Sequence, residues 1–107
     1  MPNVHKVKIF IKDGVCQADP GVQHVRRGDR VVLDAIDTDV LITFPETKLF
    51  GWKLPHKKLK ARGTRAEWHL KVRKNVNPRE EYEYTIFCKD TRRYVDVASS
   101  PKFIVDD

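Results

Sequence analysis

Glu80-Glu81-Tyr82-Glu83-Tyr84-Thr85-Ile86-Phe87-Cys88 decides the fold class. Its core, Tyr82 to Cys88, is the most strand-like run of the chain, rich in the aromatic and β-branched residues that suit a pleated, half-buried surface. It ends at one of only two cysteines. Towards the C-terminus, Lys102-Phe103-Ile104-Val105 makes a closing strand before the charged Asp106-Asp107. In the other direction Asn75-Val76-Asn77-Pro78 turns the chain. Ahead of that turn, Ala66 to Val72 alternates, with Ala66, Trp68, Leu70 and Val72 on one side.

The N-terminal half has the same period. Val4 to Lys12 places Val7, Ile9 and Ile11 on one face and Lys6, Lys8 and Lys12 on the other. Asp13-Gly14 supplies a hairpin-type turn, since glycine accepts positive φ without steric cost. Val15 to Ala18 starts a second segment, which Asp19-Pro20-Gly21 interrupts and Val22 to Val25 resumes as an edge piece. Arg27-Gly28-Asp29 turns the chain into Arg30–Ile36, and Asp37-Thr38-Asp39 separates that strand from Val40–Phe44. Pro45 ends the latter, and Glu46 to Thr64 reads as a long irregular stretch. In it, Leu59 and Trp52 are candidates for packing beneath an anchored loop.

No amphipathic helix pattern exceeds two turns. Short strands at this spacing point to an all-β chain of about seven strands, a β-sandwich forming a single domain over residues 1–107. The length of 107 residues suits one domain, and a 40% apolar fraction with ten aromatics can build a core. No stretch approaches the ~20 apolar residues that span a bilayer, and no signal-peptide core follows Met1. The expectation is a cytoplasmic protein without a membrane span, or a periplasmic or extracellular one if a leader was removed.

Three segments together resemble the cupredoxins. Val25-Arg26-Arg27-Gly28-Asp29-Arg30-Val31-Val32-Leu33 is similar to the segment in which a Gly-Asp turn leads into the strand before the first copper ligand. Glu80 to Cys88 resembles the penultimate strand, which ends in the ligand cysteine, and Lys102 to Val105 resembles the last strand. The resemblance runs over nearly the whole chain, with Glu46 to Thr64 the least alike. It implies a Greek-key, cupredoxin-like β-sandwich of the plastocyanin and azurin type.

A blue-copper site needs two imidazoles, one thiolate and a weak axial ligand. The resemblance puts Cys88 at the thiolate position, but Thr91 stands where a short ligand loop would carry histidine. No histidine follows His69, the only methionine is Met1, and Asp39 and Val40 stand where the first histidine would be. The resemblance therefore implies the fold without a type 1 copper centre, and no cofactor is expected. The alternative is a non-standard metal or electron-transfer site, with copper as the candidate, built on Cys88, His56 and His69 with Asp39 adding a carboxylate. The plainer reading of Cys88 is a small buried hydrophobe at a strand end.

Without a signal peptide, Cys16 and Cys88 are expected as reduced thiols rather than as a disulfide. A nucleophilic cysteine needs a base that lowers its pKa. Nothing local supplies a histidine, although Lys89, Arg92 and Arg93 would favour a thiolate, and no catalytic residue is assigned. The chain is read as non-enzymatic. Arg27-Gly28-Asp29 spells a cell-attachment tripeptide but reads as a tight turn in which Asp29 bonds neighbouring amides. Asp34, Asp37 and Asp39 could offer oxygens to Ca²⁺, yet lack the loop glycine and spaced glutamate of such a site and read as a solvated turn.

Charge gives the positive lead. The chain carries 21 Lys plus Arg against 15 Asp plus Glu, a formal net charge of +6. Between Lys48 and Lys74 lie ten basic residues and one acid, Glu67, so this stretch carries +9 and the remainder −3. Lys53, Lys57, Lys58, Lys60 and Arg62, with Trp52, are the candidate partner-binding residues. Such a loop can meet an acidic protein surface, with Phe50, Trp52 and Leu54 as anchors. Alternatively it can neutralise nucleic-acid phosphates while Trp52 and Trp68 stack on bases. Against stacking, Trp68 alternates with Leu70 as if it faced a core. The expected function is a binding or interaction module of unknown specificity.

Overall fold

The computed structural model describes residues 3–46, 48–51, 56–95 and 101–106. In the first half lie β1 (Val4–Lys12), β2 (Val15–Asp19), β3 (Val22–Val25), β4 (Arg30–Ile36) and β5 (Val40–Thr43). A 3-10 turn (Lys48–Phe50) follows, then β6 (His56–Leu59), β7 (Arg65–Lys71), β8 (Glu81–Glu83), β9 (Thr85–Cys88), β10 (Arg93–Tyr94) and β11 (Lys102–Val105). Among the described residues there are thus eleven short strands rather than about seven.

The surplus has identifiable causes. The stretch expected to be irregular holds β6, whose sequence His-Lys-Lys-Leu buries only Leu59. With one apolar residue it has no readable alternation, yet lysines on an edge strand are a common guard against adding another strand. The run Tyr82 to Cys88 is not one strand. Up to Tyr84, whose amide bonds the Pro101 carbonyl at 3.0 Å, the run keeps the register of its pairing with β11. From Thr85 it pairs with β5 instead, which separates β8 from β9.

Three hydrogen-bonded sheets result, ordered β2-β1-β4-β7, β10-β9-β5-β6 and β3-β11-β8. The second and third run into one another through Tyr84, so the chain forms a two-layer β-sandwich. In the first sheet β1 lies parallel to β4, with Val7 opposite Leu33, and β7 pairs antiparallel with β4. In the second, β5 lies between β6 and β9. β3 forms an edge, as expected, parallel to β11.

Alternation then sets the core. Val7 and Ile9 from β1 and Val31, Leu33 and Ala35 from β4 face Val40, Ile42 and Ile86 of the other layer, all fully buried. A ring cluster fills the middle. Tyr84 stacks on Phe44 and Phe103 at 4.9 and 5.0 Å between centroids, and Phe50 meets both phenylalanines edge-on. Trp68 lies half-buried against Phe44 at 5.8 Å, on the side the alternation assigns it. No helix among the described residues is long and apolar enough to cross a membrane.

The pairings give the sandwich two ends. At one, β9 stops at Cys88 opposite Val40, beside the Asp37–Asp39 turn and the β6–β7 turn. At the other lie the Arg27–Asp29 turn, the 3-10 turn and the residues after β7. The first is the Cys88 end of the sandwich and the second its Arg73 end.

Candidate functional site

At the Cys88 end, Cys88 is fully buried and disulfide-bonded to Cys16 of β2, with their Cα atoms 6.0 Å apart. This corrects the expectation of reduced thiols. Cys16 lies opposite Ile11 of β1 and is buried like Cys88. Inward-facing positions on the two layers thereby bring together residues 72 apart in sequence, at a separation that suits a disulfide. The sulfur bonded in this way is not a thiolate, the form that ligates metals and attacks electrophiles.

Asp39, where the resemblance would place the first histidine, is also engaged. Its Oδ1 accepts the amides of Ala61 at 2.9 Å and Arg62 at 3.1 Å, and its carbonyl accepts the Lys89 amide. The Arg62 amide foremost holds the Asp39 carboxyl below the ordinary carboxylate range. Asp37 Oδ1 accepts the Gly63 amide at 2.6 Å. These two acids therefore pin the basic β6–β7 turn and do not form a freely solvated turn.

Asp34 differs from both expectations for it. It is fully buried on the outer face of the first sheet, under Arg65, 2.5 Å away, and Lys6, 3.9 Å away, and its Oδ1 has no hydrogen-bond partner. Among the described residues no group of three or more His, Cys, Asp or Glu side chains could hold a metal.

The histidines of the alternative metal site do not converge on Cys88. His56 lies opposite Thr43 on the face turned away from the core. Strand spacings put it roughly 14 Å from Cys88. His69 is exposed on β7 of the other sheet, 3.2 Å from Glu67. The bond from His69, then that from Lys6, holds the Glu67 carboxyl below its usual range.

The basic stretch divides into two groups. Lys57 and Lys58 are exposed on the edge strand β6, and Lys60 and Arg62 on the turn held by Asp37 and Asp39. Trp52, Lys53 and Leu54 lie outside the described residues. Phe50 is buried in the ring cluster instead of standing out as an anchor, and Trp68 packs towards the core, so neither is an open platform for a base.

Lys48, Lys71, Arg73 and Lys74 gather at the Arg73 end, where two depressions adjoin. One, of about 470 Å³, is lined by Gly51, Lys71, Arg73, Lys74 and Asn75 among others. The other, of about 280 Å³, shares Arg73 and Asn75 with it and adds Lys48, Asn77, Glu80 and Tyr82. The sequence counted these cations but singled out others. Asn75, Asn77 and Glu80 were legible only as a turn and a strand start.

The Arg27-Gly28-Asp29 turn supports this end from beneath. Gly28 has φ +89°, a conformation that favours glycine. Asp29 is buried; its carboxylate accepts the amides of Arg26 at 2.9 Å and Asn3 at 3.1 Å, and His5 Nε2 lies 2.7 Å away. Burial would raise its pKa, but the His5 contact and the two amides outweigh this and hold the carboxyl below its usual value. The Gly28 amide bonds the Val72 carbonyl, the Val72 amide bonds the Asp29 carbonyl, and the Arg73 amide bonds the Leu49 carbonyl. The turn read as structural is therefore structural, and it fixes the backbone entering the depressions.

No protein-family model matches the chain, and neither does any curated protein sequence. Among solved structures, a reduced Cu(I) form of an amicyanin variant is similar, with a TM-score of 0.56 and 16% identity over 94% of this chain and 82% of that one. A Cu(I) form of another amicyanin variant gives the same figures. A chain of a heme-copper terminal oxidase dimer reaches a TM-score of 0.52 at 13% identity, over 97% of this chain and 65% of that one. At such identities the likeness concerns the fold, and the fold of this chain is that of a cupredoxin-like β-sandwich.

Proposed function

We propose that this chain is a small, non-enzymatic binding module on a cupredoxin-like scaffold, without a functional blue-copper centre, and that its basic Lys48–Lys74 stretch meets an anionic partner. The observation that carries this reading is the bond between Cys88 and Cys16. It occupies the sulfur that a type 1 centre would need as thiolate. The amides of Ala61 and Arg62 on Asp39 support it, since they engage the carboxylate that would otherwise face that end. The disulfide also favours an oxidising compartment, the periplasmic or extracellular branch of the localisation expectation.

The test is a Cu(II) titration of the oxidised protein, followed by visible absorption. No intense thiolate-to-copper band is expected. A band that saturates at one copper per chain and disappears in Cys88→Ser overturns the reading in favour of an electron-transfer site.

A further inference from the structure

The two depressions at the Arg73 end differ in chemistry, and the difference names a ligand class for the binding face just proposed, on which this inference rests. The larger is cationic, with Lys71, Arg73 and Lys74 beside Asn75 and no acid among the described residues of its lining. The smaller joins Lys48 to the amide side chain of Asn77, the Tyr82 phenol and the Glu80 carboxylate. Arg73 and Asn75 belong to both.

Arg73 is held in place for a role at this junction. Its amide bonds the Leu49 carbonyl, and its side chain crosses Gly51 so closely that a Cβ there would lie 3.4 Å from its Cδ. Gly51 has φ +84°, so the position favours glycine on conformational grounds as well. A guanidinium fork matches the oxygens of a tetrahedral oxyanion, and neighbouring lysines add point charges.

A second anion in the smaller depression would meet Glu80. The bonds donated by Tyr82 at 2.7 Å and Asn77 at 3.2 Å hold the Glu80 carboxyl below its usual range, so it stays ionised at neutral pH. A carboxylate with amide side chains nearby suits hydroxyl groups, since these oxygens accept O–H and the amide N–H groups donate. Among the described residues no exposed aromatic ring lines either depression for a nucleic-acid base to stack on, Phe50 and Tyr82 both being buried. One oxyanion with hydroxyls beside it describes a sugar ester.

We propose that the Arg73 end binds a phosphorylated or sulfated sugar, its oxyanion among Lys71, Arg73 and Lys74 and its hydroxyls against Asn75, Asn77 and Glu80. The test titrates the full chain at low salt with glucose 6-phosphate, glucose 6-sulfate, inorganic phosphate and glucose, read by amide chemical shifts in NMR. Saturating shifts at Gly51, Arg73 and Asn75 are expected with at least one ester, which identifies the source of the oxyanion. Inorganic phosphate should bind about tenfold more weakly and glucose without saturation.

Arg73→Gln should lower ester affinity about tenfold or more, the worth of a charge-assisted hydrogen bond. Glu80→Gln should weaken the ester but not inorganic phosphate. Lys12→Gln, exposed at the far end, should change neither, and Lys74→Gln repeats the Arg73 test at a second exposed position. The proposal is overturned if neither ester saturates, if inorganic phosphate binds as tightly as the esters, or if Lys12→Gln weakens binding as much as Arg73→Gln. With the copper titration still silent, such a result removes the ligand class and leaves the binding-module reading standing. A copper band removes that reading independently.

Discussion

The two ends of this sandwich both carry cations, but their polar groups are engaged differently. At the Cys88 end the groups with chemical potential are engaged with one another: Cys88 with Cys16, Asp39 with the Ala61 and Arg62 amides, Asp37 with Gly63. At the Arg73 end the bonds are made by backbone beneath the surface, through Asp29, Val72 and Leu49, while cationic side chains line open depressions. The end that carries the redox-active metal in a copper-binding cupredoxin is here closed by covalent and hydrogen bonds. The opposite end is held by backbone bonds and by the buried Asp29 carboxylate, while Lys71, Arg73 and Lys74 line its depressions.

The strongest way to break this contrast is to open the closed end. Replacing both cysteines with alanine releases a cross-link between residues 72 apart. Chain entropy puts the cost at about 4 kcal/mol. Urea denaturation should show that loss, with the amide shifts of Gly28, Val72 and Arg73 little changed in the native baseline. A loss below about 1 kcal/mol would mean that the Asp37 and Asp39 bonds hold the Cys88 end without the disulfide.

The counterpart at the other end is Asp29. Asp29→Ala removes the acceptor of two amides and the partner of His5, and buried donors left unpaired cost about 3 kcal/mol together. The Asn variant keeps an acceptor and should lose less, which isolates the charge. Because the folded pKa of Asp29 is held below its unfolded value of about 3.9, its ionic contribution is present above that value. It is lost as pH falls through the folded value. Stability of Asp29→Asn measured from pH 5 down to pH 2 should therefore fall less steeply than that of the native protein. An unchanged slope would show that the charge of Asp29 does not hold this turn.

Legibility in the sequence follows the same division. β1, β3, β4 and β11 were readable to the residue because turns punctuate runs rich in apolar and β-branched residues. β6 was hidden, since an edge strand with one buried residue carries almost no period. The break at Tyr84 was hidden too, because its cause is a change of partner from β11 to β5, both distant in sequence. Cys16 and Cys88 were each visible, but their union depends on which inward positions of two layers face each other. The basic stretch was legible as charge, and its division between the ends was not. β7 carries it along the sandwich, leaving Lys60 and Arg62 at one end and Arg73 and Lys74 at the other.

Tyr84 stands between the two ends, where β8 gives way to β9, and offers the smallest and most discriminating effect. Its ring stacks between Phe44 and Phe103, while its hydroxyl is buried without a hydrogen-bond partner, and burial raises its pKa. In the unfolded chain that hydroxyl is hydrated, so folding desolvates it without compensation. Tyr84→Phe keeps the stack and removes the orphan, and should stabilise the protein by about 1 kcal/mol in urea denaturation. The contrast between the ends requires this sign, because it places the polar bonds at the two ends and a purely apolar joint between them. A destabilisation of similar size would show that the hydroxyl has a partner such as a buried water, and that the joint is polar as well.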